Sequence, residues 1–248
     1  MTERRGYRGD VSEAENKMAE PQEDIQESAR SPREFLRKRE ALVVHFSSPT
    51  SRQDFGFPED LQKAIELGTS GAALSFSTII AGDRGPTQVR PVDKANATGS
   101  VGIVVDIAET GSVQAVGALD AGSTEYSDQF MKDKGITPSV ADCARSLDER
   151  GKSPDHPHYN EWRVRNFQAV GIFIFEPVQA RVTKTRLDLP DHLGGSTDEW
   201  NIDNVALDEI LSAFPTLRIF RSNSNGFEEW NRPARDWRSV KYDQIVPP

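Results

Sequence analysis

His158-Tyr159-Asn160-Glu161-Trp162-Arg163-Val164-Arg165 stands between a polar run, residues 153–160, and an apolar one, Val170-Gly171-Ile172-Phe173-Ile174-Phe175. A carboxylate at such a boundary sits at the mouth of a sheet, where the chain passes from solvent into the core. Such a place holds one charge in a fixed orientation beside a cleft. Glu161 is therefore the first candidate functional residue. The competing assignment makes it a solvated strand-start residue paired with Arg163 or Arg165. Its company upstream favours the first.

Residues 41–47, Ala-Leu-Val-Val-His-Phe-Ser, are apolar and β-branched and predict a strand. Alternation puts Leu42, Val44 and Phe46 on one face and Val43, His45 and Ser47 on the other. Pro58-Glu59-Asp60 then opens a helix, with proline and acids in the first turn as the helix dipole prefers. Leu61, Ala64 and Ile65 give its apolar stripe, and Gly68 is the expected C-cap. Residues 72–80 predict a second strand, with Ser75 and Ser77 on one face and Leu74, Phe76 and Thr78 on the other.

Further strands are expected at 101–107, strongly apolar and central, and at 112–118, 170–175, 180–186 and 216–221. Helices are expected over 124–134, over 139–149, and after an Asn204 cap, where Leu207, Ile210, Leu211 and Phe214 follow amphipathic spacing. Residues 190–200 read as a loop. Residues 222–248 read as irregular chain, with Trp230, Trp237 and Tyr242 packed back on the core. Seven strands and three or four helices without strict alternation predict an α+β fold. Residues 1–34 are crowded with Glu, Asp, Arg, Gln and Ser, so the expected organisation is a disordered tail followed by one domain over 35–248.

The chain of 248 residues carries a formal net charge of -9, which argues against broad binding to nucleic acid or anionic membranes. The single cysteine, Cys143, excludes an internal disulfide and a cysteine-rich zinc site. No apolar run reaches the length that spans a bilayer, and the N-terminus lacks the apolar core of a secretory signal. The expected location is the cytoplasm, or a target cell reached by a route that needs no signal peptide. No Walker loop and no Gly-x-Gly-x-x-Gly occurs.

Val44-His45-Phe46-Ser47, the helix 61–68, Ser75-Phe76-Ser77-Thr78 and Asn160-Glu161-Trp162-Arg163-Val164 follow one another in an order that resembles the ADP-ribosyltransferase superfamily, bacterial toxins and effectors included. The resemblance spans about residues 40–186. It implies a mixed, largely antiparallel sheet structure around an NAD cleft. It also implies transfer of ADP-ribose from NAD, as substrate, to a macromolecular acceptor, protein or nucleic acid. Glu161 would be the catalytic carboxylate. His45 would hydrogen-bond the adenosine-side ribose with Ser47 supporting it. Ser77 would orient Glu161 or the nicotinamide ribose, Thr78 would steady the second strand, and an aromatic such as Tyr126 would stack on nicotinamide. Arginine-modifying members carry Glu or Gln two positions before the catalytic Glu; Tyr159 stands there in this chain, which points away from an arginine acceptor.

The residue types suit that chemistry. Cleaving the nicotinamide–ribose bond develops an oxocarbenium-like sugar, and a fixed carboxylate stabilises it. Two other classes stay open from sequence. A metal-dependent hydrolase or nuclease would use Asp106, Asp120 or Glu125 with His156 and His158. A non-catalytic interaction module would use Glu161 only as an ion-pair member.

Overall fold

The computed structural model describes residues 29–47, 57–83, 99–107, 112–117, 138–150, 160–188 and 196–247. The fold is α+β with a mostly antiparallel mixed sheet, as the uneven mixture of patterns predicts. The chain runs α1 (Pro32–Lys38), β1 (Leu42–Phe46), α2 (Glu59–Gly68), β2 (Leu74–Ile79), β3 (Val101–Asp106), β4 (Val113–Gly117), α3 (Val140–Glu149), β5 (Glu161–Val164), β6 (Gln168–Ile174), β7 (Gln179–Asp188), β8 (Ser196–Asn204), α4 (Leu207–Ala213), β9 (Arg218–Asn223), β10 (Gly226–Asn231), β11 (Asp236–Val240) and α5 (Tyr242–Ile245). Nine strands form one sheet in the order β11-β10-β9-β6-β3-β1-β2-β5-β4, while β7 and β8 pair separately. Only the β6–β9 pairing is parallel among these strands.

Both faces of the central strands are covered, which is why β3 reads as a continuous apolar run. On one face Val43, Ile103, Val105 and Ile172 meet Phe35 of α1, Leu61 and Ala64 of α2, Leu147 of α3 and Ile210 of α4. On the other, Leu42, Val44, Ile79, Val104 and Phe173 meet Phe220, Phe227 and the C-terminal Tyr242, Ile245 and Val246. Each such Val, Leu, Ile or Phe side chain stabilises the fold by about 1.5–3 kcal/mol. The alternation expected for β1 holds on both faces.

β2 changes partner midway. Its C-terminal half pairs with β1, through Val44↔Ser77, Val43↔Thr78 and Leu42↔Ile79. Its N-terminal half pairs with β5, through Phe76↔Trp162, Ser75↔Arg163 and Leu74↔Val164. His45 and Phe46 stay paired to β3 but have no register partner on β2. The sheet therefore forks at His45 and Ser75. Gly102 is what lets β3 lie so close to β1 there: a Cβ at that position would stand 2.6 Å from the His45 carbonyl oxygen.

The fold starts near Pro32 with a charged helical turn, as the sequence suggests: Ser31 caps α1 through the Glu34 N–H, and Pro32, Phe35 and Leu36 are buried. Several expectations need correction. Residues 196–204 form a strand where most of that stretch reads as loop, and α4 is capped at Ala206 instead of Asn204. Residues 222–248 supply two strands and a short helix, not irregular chain. Gly68 is the last helical residue, followed by Thr69 as C-cap. A Cβ on Gly68 would stand 2.7 Å from the Phe167 ring, so close packing explains this glycine. The expected helix 124–134 lies outside the described residues.

A candidate site where the sheet forks

Glu161 is the first residue of β5, and the residue before it explains why the strand begins there. Asn160 is fully buried. Its amide oxygen accepts from the Thr78 N–H at 2.8 Å and the Thr78 hydroxyl at 3.1 Å. Its amide nitrogen donates to Thr78 Oγ1 at 2.7 Å, and to Ser146 Oγ and the Ser146 carbonyl at 3.2 and 3.3 Å. Its own carbonyl accepts the Ser77 hydroxyl at 2.8 Å. Ser146 lies on α3, a helix opened by a Ser139/Asp142 capping box, and it also takes the Trp162 indole N–H at 3.0 Å. Arg150 closes the arrangement, donating to the Thr78 carbonyl at 2.7 Å and to both oxygens of Asp83 at 2.5 and 2.8 Å.

Trp162 belongs to the helix-covered core, so alternation turns Glu161 to the other face, where Ser75 and Ser77 lie. Glu161 is 6% exposed, which does not suit a solvated strand-start residue. Its Oε1 accepts a hydrogen bond from the Ser75 hydroxyl. Ser77 is bound elsewhere. Its hydroxyl is committed to the Asn160 carbonyl, and Ser75 is the serine on the carboxylate.

His45 lies on the helix-covered face, paired with Ile103 and with its ring 5.5 Å from that of Phe76. It is not on the Glu161 face. Ser75 nevertheless joins them, because the Ser75 carbonyl lies 2.7 Å from His45 Nδ1. A carbonyl only accepts, so Nδ1 carries the proton and Nε2 of the neutral ring is an acceptor. Burial pushes the His45 pKa below its ordinary value, against the smaller opposing effects of the Ser75 bond and the Asp60 charge. The ring is thus held neutral in one tautomer.

Ser47 is fully buried, and its hydroxyl donates to Asp60 Oδ2 at 2.5 Å, which ties the end of β1 to the first turn of α2. Thr78 is equally buried and saturated by Asn160, so it holds β5 and does not face a cleft. Tyr126 lies outside the described residues, as do Asp120, Glu125, His156 and His158. Asp106 forms an ion pair with Arg33 at 3.4 Å. Among the described residues no group of three His, Cys, Asp or Glu side chains could hold a metal ion. The Cys143 thiol is buried and pushed up to about 12, which makes it a poor nucleophile.

Sequence reasoning gave no role to Ser75 or Asn160. The shared face of Ser75 and Ser77 was the available signal for the first. For Asn160 there was none beyond its place before Glu161. A cleft of about 590 Å³ opens elsewhere, along β9–β11, lined by Arg218, Trp230, Arg232, Arg238 and others. Its arginines already have partners: Glu229 for Arg218, and the Phe214 and Leu217 carbonyls for Arg232. Among the described residues no helix is long and apolar enough to cross a membrane. No protein-family model, curated protein or solved structure matches the chain.

Proposed function

We propose that this chain transfers ADP-ribose from NAD to a macromolecular acceptor and releases nicotinamide. The observation that carries the reading is the bridge through Ser75: one residue binds a histidine by its carbonyl and a buried carboxylate by its hydroxyl. Three residues from three strands are thereby fixed relative to one another at the fork.

The chemistry follows from what each group can do. The bond between ribose C1′ and the nicotinamide nitrogen breaks, and its electron pair leaves with nicotinamide. Positive charge builds on the ribose, and the Glu161 carboxylate stabilises it. Ser75 keeps the carboxylate from rotating away, so little reorganisation is needed as the charge develops. His45, neutral and on the opposite face, donates from Nδ1 to the Ser75 carbonyl and so supports the serine that meets the carboxylate. A nucleophilic atom of the acceptor then bonds to C1′ and loses its proton.

The test is incubation of the protein with radiolabelled NAD and a cell lysate, measuring nicotinamide release and the label in protein and nucleic acid fractions. Release together with a labelled macromolecule is the expected result. Release without transfer would reduce the activity to NAD hydrolysis. No release under any condition would favour an interaction module, and activity abolished by a chelator would favour a metal enzyme.

A further inference from the structure

We infer that Asn160 is a positioning residue for Glu161, acting through the hydroxyls of Thr78 and Ser77 and through helix α3. The inference rests on the NAD reading of this site, and it names what sets the carboxylate's location.

Hydrogen bonding at Asn160 goes beyond what holding a strand requires. β5 is already paired with β2 through Trp162, Arg163 and Val164, and with β4 from Glu161 to Val164. Asn160 lies beyond the β2 register, yet its side-chain oxygen, side-chain nitrogen and main-chain carbonyl are all bound. Their partners come from two elements, β2 and α3. Contacts from two directions fix a point in space where a ladder fixes only a line. The point they fix is the peptide entering Glu161. Ser75 then sets where the carboxylate ends. Backbone and head group are thus held by separate groups: Thr78 and Ser146 take the Asn160 side chain on the helix-covered face, while Ser77 takes its carbonyl and Ser75 the carboxylate on the other. Misplacement of a catalytic group by about 1 Å costs on the order of 100-fold in rate.

The chain also uses a costly way of filling this space. An apolar side chain would fill the volume beside Thr78 and Ser146 without needing a partner for every polar atom. The complete satisfaction of Asn160 implies that a defined geometry is needed there. Arg150 extends the same logic, because it binds the Thr78 carbonyl while held by Asp83.

The experiment uses Thr78→Val, which keeps shape and removes the hydroxyl, with Thr78→Ser as the conservative partner and Ser77→Ala as a milder probe. Asn160→Ala is added where it folds. Two quantities are read in the full-length protein: steady-state nicotinamide release, and the ¹³C chemical shift of the Glu161 carboxyl at fixed pH. Thr78→Val is expected to lower kcat about tenfold or more with KM for NAD unchanged, and to move the Glu161 carboxyl resonance. Thr78→Ser should restore both. An unaltered kcat and an unaltered resonance in folded Thr78→Val would overturn the inference and leave Asn160 a packing residue. Should the wild-type protein release no nicotinamide, the NAD reading fails, and the carboxyl signal alone still decides the positioning role.

Discussion

Arg150–Asp83, beside β5, and Arg218–Glu229, on the β9–β10 ribbon, are both paired forks of two nitrogens on two oxygens, in opposite surroundings. The first pair is 6% and 4% exposed and lies among groups that saturate one another: Thr78, Asn160, Ser146 and Trp162. The second is 37% and 30% exposed, and solvent shares its charges. The same chemistry therefore does two jobs. Near Glu161 it fixes where a strand lies. On the ribbon it decorates a surface whose register is set by backbone pairing.

The sharpest way to break this comparison is to remove one arginine from each pair. Arg150→Met removes the guanidinium from a buried pair and should cost about 3–5 kcal/mol of stability. Arg218→Met should cost about 1 kcal/mol or less. Denaturant titration of both variants gives the two numbers, and equal losses would erase the distinction between the regions.

Glu161→Gln probes what the buried region is for. The amide keeps the shape and can still accept from Ser75, but it loses the charge. Turnover should fall about 100- to 1000-fold, with NAD affinity nearly intact. Nicotinamide release beside a melting curve measures this. Equal activity in the two proteins would remove Glu161 from the mechanism.

A smaller effect is expected at His45. His45→Gln loosens the Ser75 bridge and should lower nicotinamide release about tenfold with NAD affinity nearly intact, read by steady-state kinetics. The variant should also change the pH dependence of stability. The folded-state pKa of His45 lies below its unfolded value near 6.5, so the unfolded chain binds the proton more readily. The histidine's contribution is complete above about pH 6.5 and is lost as pH falls toward the folded value. Wild-type stability should therefore decline more steeply than that of His45→Gln between about pH 7 and pH 5. Parallel curves would show that burial does not hold the ring neutral.

The smallest effect belongs to Arg235, whose pair with Asp208 is more than two-thirds exposed on both sides. Arg235→Ala should shift stability by about 0.5 kcal/mol or less, and less still in high salt. A larger loss would mean that the ribbon's surface charges matter more than their exposure suggests.

The elements that bury a face were legible in the sequence. β1, α2, β2 and β3 announce themselves because their apolar spacing matches what the core needs. β8, β10 and β11 were missed for the opposite reason. Ser196–Asn204 is rich in Asp, Glu and Asn, which disfavour strands, and its extended form comes from pairing with β7. Only Phe227 of β10 is buried, so no period-2 signal survives there. The candidate site was half legible. Glu161 and His45 stand at sequence boundaries that can be seen. Which serine meets the carboxylate depends on how far a side chain leans along its strand, and alternation gives only the face. That His45 and Glu161 lie on different faces depends on the combined register of three pairings, which no single stretch reveals.

Gly102 has no side chain to offer the chemistry, yet it governs how closely β3 approaches β1 beside His45. Its missing Cβ is what allows β3 to press against the His45 peptide. A methyl group there must push β1 aside, because the obstacle is main chain and cannot rotate out of the way. The displacement would carry His45 relative to Ser75 while leaving both side chains unaltered. Position 102 is thus a dimension-setting spacer: a protein engineer could resize the fork from behind, one strand removed, without editing any group that faces it.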